Sequence, residues 1–283
     1  MAGIIACANV ESYASDMTDS SDNAITLSIS DCANNIKAIY TELYPEAENE
    51  ITEMVDTITN NEVFAEIFEQ EGTSAFQIVD RSLNDYFNPS VKGCMQTDDM
   101  YISSHSFPNV QQKNSYYCGP AAILMSLIGS GASGYYYTNN ETITDSWQDT
   151  VANAIGTTSS GSNITNIKNY LNQRVTGSNG YSFSTMIFTR YTYNTVLDYI
   201  EESLIMDTVP ILLLTPRSNL GYYNGNTPSH YVVVESVDFN AGTVTIIDPH
   251  YSNTYFGSHV ITTDELVTVA KNSQDLWAVV YTK

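Results

Sequence analysis

The chain has 283 residues, 42% of them hydrophobic, which is enough for one large domain or for a catalytic domain with a smaller companion. Its formal net charge is −22, with only 10 Lys and Arg residues. Such an acidic chain is a poor partner for nucleic acids and anionic membranes, because both repel it. The charge suits a soluble extracellular or periplasmic protein.

The first residues have features of a secretion signal. Ala6-Cys7-Ala8 fits the small-residue pattern of a cleavage site, and Ile4 to Cys7 is a loose lipobox. The run is too short for a complete signal peptide and has no basic region before it. Two interpretations of residues 1–22 therefore stay open, namely a signal-peptide remnant and an unstructured N-terminus.

Residues 23–96 contain four segments in which apolar residues recur at helical spacing. Breaks at Pro45, Asn60-Asn61 and Gly72 separate the segments. The pattern predicts a small helical region of about four helices. The apolar positions are Ile36, Ile39, Tyr40 and Leu43, then Ile51, Met54, Val55 and Ile58, then Val63, Ile67 and Phe68, then Phe76, Val79, Leu83 and Tyr86.

The composition changes between Asn88 and Asp99, and a second domain is predicted over residues 97–283. Within it, Cys118-Gly119-Pro120 leads into an apolar run. Because proline is tolerated only in the first turn of a helix, this order places Cys118 at a helix N-terminus. The partial positive charge there favours a thiolate, which is the nucleophilic form of cysteine. The alternative is a buried structural cysteine, which is common at the start of a core helix.

Two glutamines precede this cysteine. Gln112 lies six residues upstream, where its side-chain amide could join the Cys118 backbone N–H in donating to a developing oxyanion. Gln111 is adjacent and could supply the same donor. The residues alone leave both glutamines as candidates.

Further elements follow in chain order. Helical patterns predict two helices after the cysteine helix. A strand-like run and a further helix come next, followed by a buried apolar strand. Two more strands are predicted near the C-terminus. A loop rich in Gly, Asn and Pro leads into His230 and is either a mobile flap or an ordinary crossover. Helices first and sheet second predict an α+β fold with the site between the two lobes. The predicted ranges are Trp147 to Ile155, Ile164 to Val175, Tyr181 to Thr189, Tyr193 to Met206, Val209 to Leu214, Tyr255 to Ile261 and Trp277 to Tyr281, with loops Gly129 to Tyr137 and Arg217 to Ser229.

Two β-branched runs, around His230 and Asp248, flank a polar loop that contains glycine and predict an antiparallel hairpin. If the turn centres near Asn240, Val232 lies opposite Asp248, and Asp248 then lies diagonally beside His230 on one face. A slip of one residue would send Asp248 to the other face, so this pairing depends on register. Each residue alone also fits a structural role in a strand. Together, after a Gln/Cys loop, they favour catalysis.

Four blocks of the sequence match one family of enzymes. The blocks are Gln112, Tyr117-Cys118-Gly119-Pro120-Ala121, His230-Tyr231-Val232-Val233-Val234 and Ile247-Asp248-Pro249. In these blocks the chain resembles the papain-like cysteine peptidases that process bacteriocin leaders, family thirty-nine of the cysteine peptidases, in its stand-alone "like" branch. The resemblance covers roughly Tyr101 to Lys283.

The resemblance implies an α+β, papain-like fold with a helical lobe and an antiparallel β-sheet lobe, preceded here by the small helical region. It assigns the nucleophile to Cys118, the general base to His230, the orienting carboxylate to Asp248 and the oxyanion donor to Gln112. The spacing in papain-like enzymes favours Gln112 over Gln111. Residues 23–96 would then be either an inhibitory pro-segment or a permanent companion of a catalytic domain at 97–283.

The expected activity is that of a cysteine peptidase, which hydrolyses peptide bonds through a Cys-His-Asp triad and a thioester acyl-enzyme. A peptide or protein is the expected substrate, and no metal or organic cofactor is required. The alternatives are a papain-like amidase or acyltransferase acting on cell-wall or glutamine amides, and an inert binding module on the same fold. The sequence has no P-loop and no apolar stretch long enough to span a membrane, so leader processing coupled to export is not expected.

The cysteines and histidines do not suggest a metal site. If Cys118 is a free nucleophile, three widely spaced cysteines are left, which are Cys7, Cys32 and Cys94. No Cys-x-x-Cys occurs, and the histidines show no ligand spacing with the cysteines. The histidines are His105, His230, His250 and His259. We expect the protein to be secreted, or to lie on the surface of a bacterial cell if it is lipid-anchored at Cys7.

Overall fold

The chain divides into two compact units, residues 1–93 and 94–283. The computed structural model describes residues 27–88, 100–102, 107–132, 145–175, 181–189, 192, 195–215, 220–224, 227–273 and 276–282. Several sequence predictions concern residues outside these ranges. These residues are the signal-peptide remnant with Cys7, the composition change after Asn88, Cys94, His105 and parts of the loops Gly129 to Tyr137 and Arg217 to Ser229. Secretion stays a prediction.

The first unit contains the four predicted helices. They are α1 (Ile29–Leu43), α2 (Glu48–Thr59), α3 (Glu62–Glu71) and α4 (Phe76–Phe87), with short 3₁₀ turns at Pro45–Ala47 and Gly72–Ala75. A capping box begins α1, because Ser28 accepts from the Asp31 N–H while the Asp31 carboxylate accepts from the Ser28 N–H. Asn61 caps α3 by accepting from the Val63 N–H. These polar caps explain why the helices begin where they do.

The core of this unit is formed by the apolar stripes of the helices. On α2 the stripe is fully buried, and its members follow the predicted i, i+3, i+4, i+7 spacing. Between α1 and α4, the buried Tyr40 hydroxyl donates to the Asp80 carboxylate over 2.9 Å. The polar tip of Tyr40 therefore has a partner inside an otherwise apolar core.

In the part of the chain that the structure describes, the second unit combines five helices with a seven-stranded sheet. The helices are α5 (Cys118–Gly129), α6 (Asp145–Ala154), α7 (Ile164–Asn172), α8 (Val196–Ile205) and α9 (Thr263–Ser273). The strands are β1 (Met100–Ile102), β2 (Ser182–Phe188), β3 (Ile211–Leu214), β4 (His230–Asp238), β5 (Thr243–Asp248), β6 (Gly257–Thr262) and β7 (Leu276–Thr282). The sheet order is β2-β7-β3-β4-β5-β6, with β1 also on β4, and every pairing is antiparallel.

Helix α5 is buried on all sides, from Cys118 to Gly129. A helix with apolar residues all round can only lie inside a core, which is why this segment of the sequence lacks an amphipathic pattern. It packs against β3 and β4 and against α6 and α7. The sheet therefore supports the helix that carries Cys118.

Helices α8 and α9 contribute to a second core of this unit, together with apolar side chains of the sheet. Val196, Ile200 and Leu266 belong to that cluster, as do Val232 and Val234 of β4. All of these side chains are fully buried. The central strands of the sheet thus pack against α8 and α9 as well as against α5, which explains why their sequences are almost continuously apolar.

The α+β class is confirmed, but the order of elements differs from helices first and sheet second. Helix α9 lies between β6 and β7, and the sequence prediction missed it. Its signal is present, because Asp264 and Glu265 begin a run in which Leu266, Val269 and Ala270 are buried at helical spacing. Strand β1 was also missed, since three residues carry no periodicity. None of the helices in the described parts of the chain is long and apolar enough to cross a membrane.

Candidate active site

The site begins with the register of the β4–β5 hairpin. Near the turn, Asp238 pairs with Thr243, and farther along Val233 pairs with Ile247. The register shifts by one residue between these points, because Glu235 is an extra residue on β4 and forms a β-bulge. Beyond the bulge, the next step of the ladder sets Val232 opposite Asp248, as the sequence analysis expected.

This register brings His230 and Asp248 together. His230 Nε2 lies 2.8 Å from Asp248 Oδ1, and the two side chains are almost completely buried. An ionised carboxylate can only accept hydrogen bonds, so the proton between them belongs to Nε2 of the imidazole. The other ring nitrogen, Nδ1, is left to face Cys118.

Cys118 lies at the first residue of α5 and is hydrogen-bonded to His230. Its sulfur also receives backbone hydrogen bonds from Gly119 and Tyr231. Among the described residues, no side chain caps this helix at Tyr117, and the Gly119 N–H of the first turn donates to the sulfur instead. The residue predicted from the Cys-Gly-Pro pattern therefore contacts the histidine predicted from a strand far along the chain.

The three groups shift one another's protonation. Burial alone would raise the pKa of Cys118, but its hydrogen bond with His230 and the charge of that ring lower the pKa below the ordinary value of 9.0. Burial alone would lower the pKa of His230, but the bonds to Asp248 and Cys118 raise it to about 9. Burial would also raise the pKa of Asp248, and the bond from His230 lowers it overall. Together, these pKa shifts favour a Cys118 thiolate beside a His230 imidazolium.

The two candidate glutamines have different surroundings. The Gln112 side chain is buried, and its Nε2 donates to the Asn114 carbonyl over 2.5 Å. Its Oε1 has no hydrogen-bond partner among the described residues. Gln111 instead directs Nε2 toward Tyr251 O at 3.1 Å and Asn253 Oδ1 at 2.9 Å. Only Gln112 is thus enclosed in the interior.

Main-chain contacts hold this glutamine loop beside the end of β5. The Gln112 N–H donates to Pro249 O over 2.7 Å. From α6, Gln148 accepts from the Lys113 N–H over 2.9 Å and donates to Gln111 O over 2.8 Å. The loop is therefore fixed to the same strand end that carries Asp248.

The segment 157–163 packs against the nucleophile turn. A Cβ placed on Gly119 would lie 2.4 Å from Ser162 Oγ and 2.7 Å from its Cβ, so only glycine fits there. Ser162 is held in turn, because its Oγ contacts Thr157 Oγ1 at 2.9 Å and its carbonyl accepts from the Tyr231 hydroxyl over 3.0 Å. This contact explains the glycine directly after the cysteine.

Sequence analysis missed three other donors to Asp248. Tyr222 and Tyr223 both donate their hydroxyls to Oδ2, with a Tyr222 distance of 2.9 Å. The His250 N–H donates to Oδ1 over 2.7 Å. The tyrosines lie in the loop Arg217 to Ser229, whose described parts are 220–224 and 227–229, and both Tyr223 and Leu220 are buried. Their only sequence signal is a pair of adjacent tyrosines in an otherwise polar loop.

Across the described segments no group of three or more His, Cys, Asp and Glu side chains is arranged to hold a metal ion. The side chains that the site brings together are a buried thiol, an imidazole and a carboxylate, with an amide beside them.

Comparison with known proteins places the chain in a family. The model of the Peptidase_C39 like family matches residues 104–277, which include all four predicted site residues. No curated protein matches the sequence. A solved structure with similarity is UfSP from C. elegans, at 11% identity and a TM-score of 0.37, over 68% of this chain and 35% of that chain. The chain thus spans about a third of the UfSP chain. With its match over residues 104–277, the chain belongs to the Peptidase_C39 like family and has a papain-like cysteine peptidase fold.

Proposed function

We propose that this protein is a cysteine peptidase in which Cys118, His230 and Asp248 form the catalytic triad and Gln112 supplies an oxyanion donor. The observation that carries the proposal is the position of the His230 ring, which is bonded to the Asp248 carboxylate at Nε2 and to the Cys118 thiol. A histidine held in this way has the geometry that nucleophilic catalysis requires. Membership of a peptidase-like family supports the same reaction class.

The first half-reaction forms the acyl-enzyme. The Cys118 thiolate attacks the carbonyl carbon, and the negative charge that develops on oxygen is stabilised by the Cys118 N–H and by Gln112 Nε2. When the tetrahedral adduct collapses, the C–N bond breaks and the His230 imidazolium gives its proton to the leaving amine. The acyl group is then held as a thioester on Cys118.

The second half-reaction releases the acid. Neutral His230 takes a proton from a water molecule, which attacks the thioester carbonyl. Collapse of this adduct expels the Cys118 thiolate beside the imidazolium, so the starting state returns. Asp248 keeps the proton on Nε2 of the ring and stabilises the imidazolium in both steps. No metal or organic cofactor takes part.

A thiol-directed peptide vinyl sulfone tests the proposal on the full-length protein. We expect labelling at Cys118, measured by peptide mass spectrometry, and cleavage of a peptide library by the unlabelled enzyme. Cys118→Ala and His230→Ala should abolish both signals. The matched control is Cys32→Ala, because Cys32 is the other free, buried cysteine in the described residues and lies in the first unit. Its loss should leave the labelling of Cys118 unchanged.

The outcomes separate the alternatives. Labelling of Cys118 without peptide cleavage would contradict the peptidase and favour the amidase or acyltransferase. Absence of selective labelling would favour the inert binding module. The same assay on a protein that begins at Thr97 tests the first unit. Stronger labelling than in the full-length protein would support an inhibitory pro-segment, and equal labelling would support a companion domain.

A further inference from the structure

The Asp248 carboxylate accepts four hydrogen bonds. Oδ1 receives His230 Nε2 at 2.8 Å and the His250 N–H at 2.7 Å. Oδ2 receives the hydroxyls of Tyr222, at 2.9 Å, and Tyr223. An ionised carboxylate offers about four lone-pair sites, so every one of them is occupied. A triad needs only the bond from the histidine, and the two phenols on the far oxygen require their own explanation.

The two phenols come from one short turn. Tyr222 and Tyr223 lie in the 3₁₀ turn Gly221–Tyr223, directly before the loop that leads to β4. Two bonds that do not involve Asp248 hold this turn. The Leu220 N–H donates to Thr227 Oγ1 over 3.0 Å, and the Gly221 N–H donates to Glu265 Oε1 over 2.7 Å. The hydroxyls are therefore presented by a backbone that is already in place.

Ring packing fixes the direction of each hydroxyl. The Tyr222 ring stacks on His259 with centroids 4.0 Å apart and planes within 8°. His259 is itself held, with Nε2 2.6 Å from Tyr255 O. The Tyr223 ring is 99% buried and meets the His230 ring edge to face, at 6.5 Å and 84°. Neither ring can turn its hydroxyl away without losing these contacts.

Donation to the far oxygen has two physical effects. It stabilises the charged form of a completely buried carboxylate, for which burial alone is costly. It also fixes the plane of the carboxylate, so Oδ1 stays directed at His230. A carboxylate with several donors has a lower proton affinity, and it accepts the imidazole N–H bond without removing the proton.

We propose that Tyr222 and Tyr223 are positioning residues for catalysis, which together hold the Asp248 carboxylate ionised and turned toward His230. Neither hydroxyl touches the reacting atoms, so both act through Asp248. The inference rests on the proposed function of Cys118, His230 and Asp248.

Several titratable groups surround Asp248, and a test by pH must account for them. His230 and Cys118 belong to the triad, His250 follows β5, and the remaining groups come from the 3₁₀ turn, from β6 and the loop before it, and from α9. These groups are Cys118, Tyr222, Tyr223, His230, His250, Tyr255, His259 and Glu265. Burial and the charge of His230 lower the pKa of His250, so this ring is protonated less readily than an ordinary histidine.

The test uses the full-length chain with Tyr222→Phe and Tyr223→Phe, and measures the rate of Cys118 alkylation by iodoacetamide from pH 4 to 10. Each single change should move the acid limb of the profile upward by about one pH unit and slow alkylation about tenfold at pH values on that limb, which is the effect of one charge-assisted hydrogen bond. Tyr255→Phe is the matched control. Its ring packs against Tyr223 and His250, but its hydroxyl is not among the donors to Asp248. This control should leave the profile unchanged.

An Asp248→Asn background tells positioning from a merely structural role. If the phenols act through the carboxylate, Tyr222→Phe and Tyr223→Phe should produce no further shift when Asp248→Asn is present. The same shift in both backgrounds, or no shift in the wild-type background, would overturn the proposal. A wild-type protein in which Cys118 is never alkylated selectively would instead refute the proposed function itself, and this inference with it.

If circular dichroism shows that Tyr222→Phe or Tyr223→Phe does not fold, a further variant tests the same proposal. Tyr223→3-fluorotyrosine keeps the ring and the hydroxyl, but the fluorinated phenol is a stronger donor. The acid limb should then move downward rather than upward. An unchanged acid limb in this folded variant would also overturn the proposal.

Discussion

His230 and Asp248 are joined by a 2.8 Å hydrogen bond at the ends of neighbouring antiparallel strands, where both side chains are buried. The pair is buried as a unit, because each group satisfies the charge of the other. Cys118 contacts the same imidazole from the N-terminus of a different element, α5. The reactivity of the cysteine should therefore depend on the strand hairpin as much as on the helix.

Replacing the carboxylate tests this dependence. In Asp248→Asn the imidazolium loses its charged partner, and peptide hydrolysis should fall by about a thousandfold or more. Asp238→Asn is the matched control, because Asp238 lies at the other end of β4 and accepts from the Ala241 N–H in the turn. It should retain full activity. Equal loss in the two variants, measured as kcat/KM, would show that the effect comes from destabilising the hairpin.

The shifted pKa values of His230 and Cys118 predict different pH profiles for two reactions of Cys118. The pKa of His230 rises from 6.5 to about 9, so the imidazolium persists up to that pH and is lost above it. The pKa of Cys118 is lowered, so the thiolate persists on the acid side of 9.0. Peptide hydrolysis needs both forms and should fall as the pH rises through about 9. Alkylation by iodoacetamide needs only the thiolate and should not fall there. A hydrolysis limb near pH 6.5 would contradict the ion pair.

Local patterns predicted most elements of the fold. The four helices of the first unit agree with the predicted segments because each buries one apolar stripe, and Pro45 and Gly72 lie between helices as expected. Helix α9 was missed although its first turn is acidic and its apolar residues are periodic. It lies between two strands, where a connecting loop seemed the simpler interpretation.

The site could be predicted in part. Cys118 and Gln112 have local signals, since a proline in the first helical turn and an upstream glutamine are both readable from the chain. The pairing of His230 with Asp248 depends on the bulge at Glu235, which no local pattern announces. The phenols of Tyr222 and Tyr223 reach Asp248 only through the fold of a distant loop, so their role could not be read from the sequence.

The bulge itself can be tested. Deletion of Glu235 removes only the unpaired residue, so Ser236 opposite Thr245 would be followed directly by Val234 opposite Ile246, and Val232 would stay opposite Asp248. Selective alkylation of Cys118 should therefore be retained in this variant. Insertion of one alanine between Val232 and Val233 instead moves His230 by one position, to the other face of the sheet, and should abolish selective alkylation. Wild-type alkylation in a folded insertion variant would show that the register of β4 does not place the histidine.

The close contact between Gly119 and Ser162 predicts a suppressor. Gly119→Ala places a methyl group within 2.7 Å of the Ser162 side chain, and such overpacking costs about 1 to 3 kcal/mol. Alkylation of Cys118 should slow as the nucleophile turn is displaced. Adding Ser162→Gly removes both contacting atoms and should restore stability and alkylation, as followed by thermal unfolding and mass spectrometry. Ser162→Ala keeps the Cβ and should not restore them.

The last prediction concerns the two glutamines. Gln112→Ala should lower kcat/KM for peptide hydrolysis by about a hundred- to a thousandfold, because one oxyanion donor is lost. Alkylation of Cys118 by iodoacetamide forms no oxyanion and should be nearly unchanged in this variant. Gln111→Ala is the matched control, since the Gln111 amide binds Tyr251 O and Asn253 Oδ1 instead. A larger loss of hydrolysis from Gln111→Ala would assign the oxyanion donor to Gln111, and parallel losses of hydrolysis and alkylation in Gln112→Ala would indicate that Gln112 only supports the loop.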